Sequence, residues 1–276
     1  RSYSRIRQKG APVRRSQMKT RILSSVILLP LLVVLYYRGP LLWAACLLIA
    51  VVGVSEFYRG FEAIKIFPNR WIGWISAVAL YALVLSGEGL HMYMLWFFAV
   101  VAASLLYLFR IEERQLADGM ATIIGVFYVV FFSFHVVLID RTGMGNLIWL
   151  VILTAFGTDI MAYFTGYFLG KHKLCPKISP KKTIEGALGG IAGSVILCTI
   201  FGYLITEGSI IHYIMIGFFG SIAAQAGDLT ASIFKRKMGI KDYGNLIPGH
   251  GGILDRFDSV LFTAPFVYYY IMLVIF

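Results

Sequence analysis

Five acids stand in stretches that are otherwise apolar or glycine-rich: Asp159, Glu185, Asp228, Asp255 and Asp258. An ionised carboxylate within a bilayer costs roughly 3 kcal/mol on insertion scales, so each needs a partner or a wet cavity. The adjoining polar segments supply bases: Lys181, Lys182, Lys235, Arg236, Lys241 and Arg256. Asp255 and Asp258, spaced i and i+3, share a face once a helix has begun. Carboxylates without a Cys or His cluster suit a hard cation such as Mg²⁺. Lys and Arg around such a cation suit phosphate. Together they suggest phosphoryl or nucleotidyl transfer at a membrane surface. Structural ion pairing is the plainer account of any single Asp, but it explains less well three of them beside a basic loop. In the stretch PGHGGILDRFD (248–258), Gly249, Gly251 and Gly252 permit close backbone approach or positive φ. A helix starting after them offers free N–H groups to an anion.

The elements that must position these residues are membrane spans. The 276 residues are 59% hydrophobic and 14% charged, with mean hydropathy +0.78, which is outside soluble globular usage. Apolar runs long enough for the ~30 Å hydrocarbon layer recur at about 22–37, 41–58, 71–86, 92–109, 119–139, 146–170, 184–206, 210–234 and 259–276. Backbone polar groups must be paired internally in lipid, so these are helices, and strand alternation for a barrel is absent. With the N-terminus in the cytoplasm, 23 of the 25 Lys and Arg fall on that side, leaving Arg38 and Arg141 on the other. That asymmetry predicts an all-α polytopic protein of nine spans with its C-terminus opposite. The net charge of +11 is therefore read as topology, not as nucleic-acid binding. Three cysteines, an odd count with no CxxC pair, argue against a disulfide framework or zinc.

Residues 1–17 are basic and read as a tag or basic arm; no cleavable signal peptide is expected. Residues 18–140 carry about five helices. Residues 141–276 carry the chemistry, with cytoplasmic loops at 171–183 and 235–256. Asp159 lies ~18 Å, and Asp228 ~10 Å, from the cytoplasmic end of its helix, at about 1.5 Å rise per residue. Gly186, Gly189, Gly190 and Gly193 are spaced for close helix packing, within the chain or in a homodimer. His91, His135 and His212 lack metal-like spacing, and Tyr163 and Phe164 read as core or lipid-facing.

The stretch from Ser232 to Asp258, SIFKRKMGIKDYGNLIPGHGGILDRFD, resembles the signature of the phosphatidate cytidylyltransferase (CDP-diacylglycerol synthase) family. Ser179–Gly186, SPKKTIEG, and Asp159–Gly166, DIMAYFTG, resemble two further elements of it. The likeness is strongest over 155–276. It implies a multi-pass enzyme of the cell (inner) membrane that joins CTP to phosphatidic acid, giving CDP-diacylglycerol and pyrophosphate, with Mg²⁺ required and a mixed Mg²⁺/K⁺ centre described for the family. Combined with the charge pattern, it makes Asp228, Asp255 and Asp258 expected metal ligands, with Asp159 contributing. Ser179, Lys181, Lys182 and Thr183 are expected at the triphosphate, with Glu185 beside them. Lys235, Arg236 and Arg256 are expected at lipid phosphate or pyrophosphate. Lys241, Asp242, His250, Gly251 and Gly252 would shape the nucleotide side. Phosphatidate is already ionised, so His250 is expected to bond phosphate or hold the loop before acting as a base. Arg256 is either a counter-ion to the acids or a phosphate clamp. A transporter, a CTP-dependent lipid kinase and an inactive scaffold are the competing readings.

Overall fold

The computed structural model describes residues 29–87, 89–205, 208–246 and 251–275. The expected tag or arm at 1–17, the start of the first expected span, and His250 lie outside them. The chain is an all-α polytopic membrane protein. Seven described helices are long and apolar enough to cross a membrane. They are α2 (Gly39–Glu62), α4 (Leu90–Phe109), α5 (Leu116–Arg141), α6 (Gly145–Leu169), α7 (Ile184–Ile205), α8 (Ile210–Lys237) and α9 (Leu254–Ile275). Two shorter helices are α1 (Leu29–Tyr37) and α3 (Arg70–Ser86). Each of the nine apolar runs overlaps one of these helices.

Local chemistry sets the helix limits. Pro40 stands in the first turn of α2, where its missing N–H is no loss. The Asn69 side chain accepts the Ile72 N–H at the start of α3, and left-handed Gly87 ends it. Asp118 accepts the backbone N–H of Gln115 at 3.0 Å and that of Phe67 at 2.7 Å, so one buried carboxylate starts α5 and fixes the turn before α3. The first expected cytoplasmic loop, 171–183, is not irregular. It holds an antiparallel hairpin of β1 (Lys173–Cys175) and β2 (Ser179–Thr183), pairing Lys173 with Thr183 and Cys175 with Ser179. Sequence reading misses it because its polar, proline-containing composition lacks strand alternation.

The carboxy-terminal helices α6, α7, α8 and α9 pack on one another, while α2 and α5 also reach α9. Glycines set the spacings. A Cβ on Gly186 would lie 2.8 Å from the Ala162 carbonyl oxygen, and one on Gly190 would lie 3.0 Å from that of Thr158. The α7 glycine stripe is therefore filled by α6 of the same chain and supplies no argument for a second copy. A Cβ on Gly227 would lie 2.7 Å from the backbone oxygen of Asp258. This close approach brings Asp228, one residue on, up to the first turns of α9. Gly227→Ala is expected to force α8 from α9, costing about 1–3 kcal/mol as overpacking does. A thermal-unfolding midpoint in detergent unchanged from wild type would contradict it.

Candidate active site

The site is built where the last turns of α8 meet the first turns of α9. Asp255 is buried at the start of α9. Its Oδ1 accepts from Lys235 Nζ at 2.8 Å, and its Oδ2 accepts from the backbone N–H groups of Tyr243 at 2.8 Å and Gly252 at 3.0 Å. One carboxylate thus gathers the end of α8, the connecting loop and the glycine turn. Gly251 has φ +83°, and a Cβ there would sit 2.9 Å from Asp255 Oδ2, so the turn needs glycine twice over. Tyr243 closes the arrangement, its hydroxyl donating to the Ala231 carbonyl at 3.2 Å.

Asp258 lies one turn further along α9, also buried. Its Oδ1 accepts the Ser259 N–H at 2.8 Å, and the Ser259 hydroxyl donates to Asp159 Oδ2 at 3.0 Å. Ser259 therefore ties the acid on α6 to the acid on α9. From the opposite side, Lys182 at the end of the hairpin pairs with Asp228 on α8. Burial pushes the Lys182 ammonium below the usual lysine range, and the carboxylates of Asp159 and Asp258 push it back up. A cation already stands where three carboxylates look. Among the described residues, however, no three acids, His or Cys converge into a ready metal cage. Asp228 is engaged with Lys182, and Asp255 with Lys235.

A cavity of about 430 Å³ leads to this point. Its lining includes Lys173, Lys181 and Lys182 of the hairpin segment, Tyr163 and Tyr167 of α6, and Asp159. The two tyrosines are largely exposed and stacked, with centroids 6.3 Å apart and an interplanar angle of 18°. Lys182 joins the cavity to Asp228: it lines the one and pairs with the other.

The remaining expected residues divide by what they touch. Lys181 is exposed on the cavity wall, and Ser179 is half-buried in β2. Thr183 is buried and turns inward, its Oγ1 accepting the Gly186 N–H at 3.1 Å to start α7. Glu185 accepts the Lys171 N–H at 3.0 Å and contacts His172 Nδ1 at 2.6 Å, tying down the base of the hairpin. Arg236 Nε donates to the Ile178 carbonyl at 3.2 Å, pinning the hairpin to α8. Lys241 and Asp242 are exposed in the loop. Arg256 is half-buried, and its Nε has no hydrogen-bond partner among the described residues.

Sequence reasoning misses Glu56 of α2, which hydropathy alone presents as a charge near the end of a span. It is 4% exposed and accepts the N–H groups of Ile253 at 3.1 Å and Leu254 at 2.9 Å, the first donors of α9. A signal exists: a carboxylate in an apolar run needs a partner as much as Asp159 does. The partner lies 197 residues away and has no pattern of its own.

The sequence model of the cytidylyltransferase family matches residues 19–274. The chain belongs to the cytidylyltransferase family. It is a membrane-embedded nucleotidyltransferase. A phosphatidate cytidylyltransferase of Staphylococcus epidermidis is 34% identical over 90% of this chain and 96% of its own length. That of Synechocystis is 33% identical over 92% of this chain and 97% of its own. One from Bacillus subtilis reaches 42% identity over a shorter stretch, 56% of this chain and 58% of its own. The enzyme's match to its family includes the amino-terminal helices, where the motif resemblance is weakest. Glu56 and the helix that carries it therefore lie within the matched region.

Proposed function

We propose that the enzyme transfers the cytidylyl group of CTP to phosphatidic acid, forming CDP-diacylglycerol and pyrophosphate on the cytoplasmic side of the cell membrane. A cavity lined by both lysines and exposed aromatic side chains supports this reading most directly. A soluble polyanion and a lipid phosphate can reach it from their own phases. A phosphate oxygen of phosphatidate attacks the α-phosphorus of CTP. The new P–O bond forms as the bond to the β-phosphate breaks, and pyrophosphate leaves with the electron pair. Phosphatidate brings its own negative oxygen, so no general base is required.

The protein has to hold several anions together and in line. Lys181 and Lys182 engage the triphosphate, with Lys173 beside them. Arg256 clamps a phosphate: its Nε is without a partner among the described residues, whereas Lys235 is held by Asp255. That contrast favours the clamp over the counter-ion. The oxygen-only donors fit a hard cation, and the Lys182 ammonium marks the same negative pocket. Asp228 and Asp258, with Asp159, would hold Mg²⁺, with K⁺ as a second cation nearby. Bound there, the cation neutralises charge on the reacting phosphates. Asp255 acts mainly by fixing the loop and Lys235. The reading includes nine spans, the N-terminus in the cytoplasm and the C-terminus opposite, the arrangement favoured by the distribution of Lys and Arg.

Purified enzyme in detergent, given CTP, phosphatidate and Mg²⁺, is expected to release pyrophosphate and form CDP-lipid in equal amounts. Release of CDP with a phosphorylated lipid would instead indicate a kinase. Solute uptake by proteoliposomes without CTP turnover would indicate a transporter.

A further inference from the structure

The active-site helix α9 begins with a cap that comes from the other half of the protein. An α-helix leaves its first N–H groups without internal partners. At most helix starts a neighbouring Ser, Thr, Asp or Asn accepts them. The residue before α9 is Ile253, which has no side-chain acceptor. Instead both carboxylate oxygens of Glu56 take the Ile253 and Leu254 N–H groups.

The surroundings are shaped for this reach. A Cβ on Gly252 or Gly244 would collide with the Glu56 carboxylate, so two glycines of the connecting loop make room for it. The neighbouring residues of α2 add to the support. Phe57 packs on Phe234 of α8 and Tyr243 of the loop, with centroids 5.1 and 5.9 Å apart. A Cβ on Gly60 would lie 3.1 Å from Ile240 and 3.6 Å from Tyr243. Residues 56, 57 and 60 form one face of α2. That face seats the loop and sets where α9 starts.

We infer that Glu56 is a positioning residue for the transfer reaction: by capping α9 it fixes the first turn, and through it the Asp255 and Asp258 carboxylates. The inference rests on the proposed reaction only for its kinetic readout. Glu56 is not among the residues lining the cavity, so its effect on turnover passes through the loop and the start of α9. Misplacing catalytic groups by about 1 Å can cost on the order of 100-fold in rate.

Glu56→Ala and Glu56→Gln are compared with wild type and with Asp118→Asn, an equally buried cap on α5. For Glu56→Ala, kcat per folded molecule is expected to fall about 100-fold, with the KM for phosphatidate within a few-fold of wild type. Glu56→Gln keeps one acceptor and loses the other, so it is expected between the two. Hydrogen exchange should accelerate in peptides covering 243–246 and 251–256 and stay at wild-type levels in α6 and α7. Asp118→Asn should lower the unfolding midpoint without changing exchange in the α9 start. Turnover by Glu56→Ala within twofold of wild type would overturn the inference. So would faster exchange spread evenly through the protein, which marks a merely structural role. If wild-type enzyme made no CDP-lipid, the proposed reaction would fail, while local exchange at the α9 start would still decide whether Glu56 holds it.

Discussion

Asp258→Asn is expected to lower turnover by about 10²–10³-fold, the range for losing one electrostatic partner of a transferring phosphoryl group. The folded protein should survive the change. Asn is the same shape, and its carbonyl oxygen can still accept the Ser259 N–H that Asp258 Oδ1 accepts now. Asp258 is buried with Asp159 linked to it through Ser259, and Lys182 faces both. Removing one negative charge there relieves repulsion between acids, so the unfolding midpoint should hold or rise. Turnover of radiolabelled CTP and thermal unfolding, measured on the same preparation, test the two halves. Near-normal turnover would sink the assignment of Asp258 to the cation site.

Asp255→Ala is expected to do something different. It leaves the Lys235 ammonium without its partner and strands the N–H groups of Tyr243 and Gly252 in a buried position. Breaking a buried pair by removing one member costs about 3–5 kcal/mol, and stranded donors add to it. Activity should be lost together with stability. Asp255→Asn should fall between, because an amide oxygen serves one set of donors but its NH₂ opposes the other. If Asp255→Ala unfolded at the wild-type midpoint while losing activity, its carboxylate would be acting on the ligands and not on the loop. The two aspartates are three residues apart and look alike in sequence, yet their variants should separate cleanly.

That contrast shows what could be read from the chain alone. Hydropathy is local, so each apolar run overlaps a described helix. The Lys and Arg residues crowd into alternate segments between the apolar runs, and no tertiary knowledge is needed to see it. The residue types of the signature disclosed the chemistry. What each acid bonds to was hidden, because hydrogen-bond partners in a helical bundle come from distant segments. Asp255 and Asp258 share a helical face but differ in what they hold. Asp255 is filled by three donors, whereas Asp258 bonds a single backbone N–H at Oδ1 and stands near Asp159. Thr183 and Glu185 sit in the second motif as expected, yet their side chains start α7 and fasten the hairpin. Glu56 was visible as an acid in an apolar run, and nothing nearby in sequence announced its partners. Pro265 inside α9 and the wide turn of α5 at Val126–Phe131 likewise depend on packing that residue spacing does not encode.

The cap between α2 and α9 also bears on how the protein is made. Synthesis delivers α2 long before the segment that Glu56 serves, 197 residues later. Until then its carboxylate has no donors from α9, and an unpaired charge is poorly tolerated in the membrane interior. A chain interrupted before residue 253 lacks the two backbone donors that Glu56 accepts from. The cap that starts α9 therefore forms only long after α2 has been made, and it joins two segments that synthesis keeps far apart.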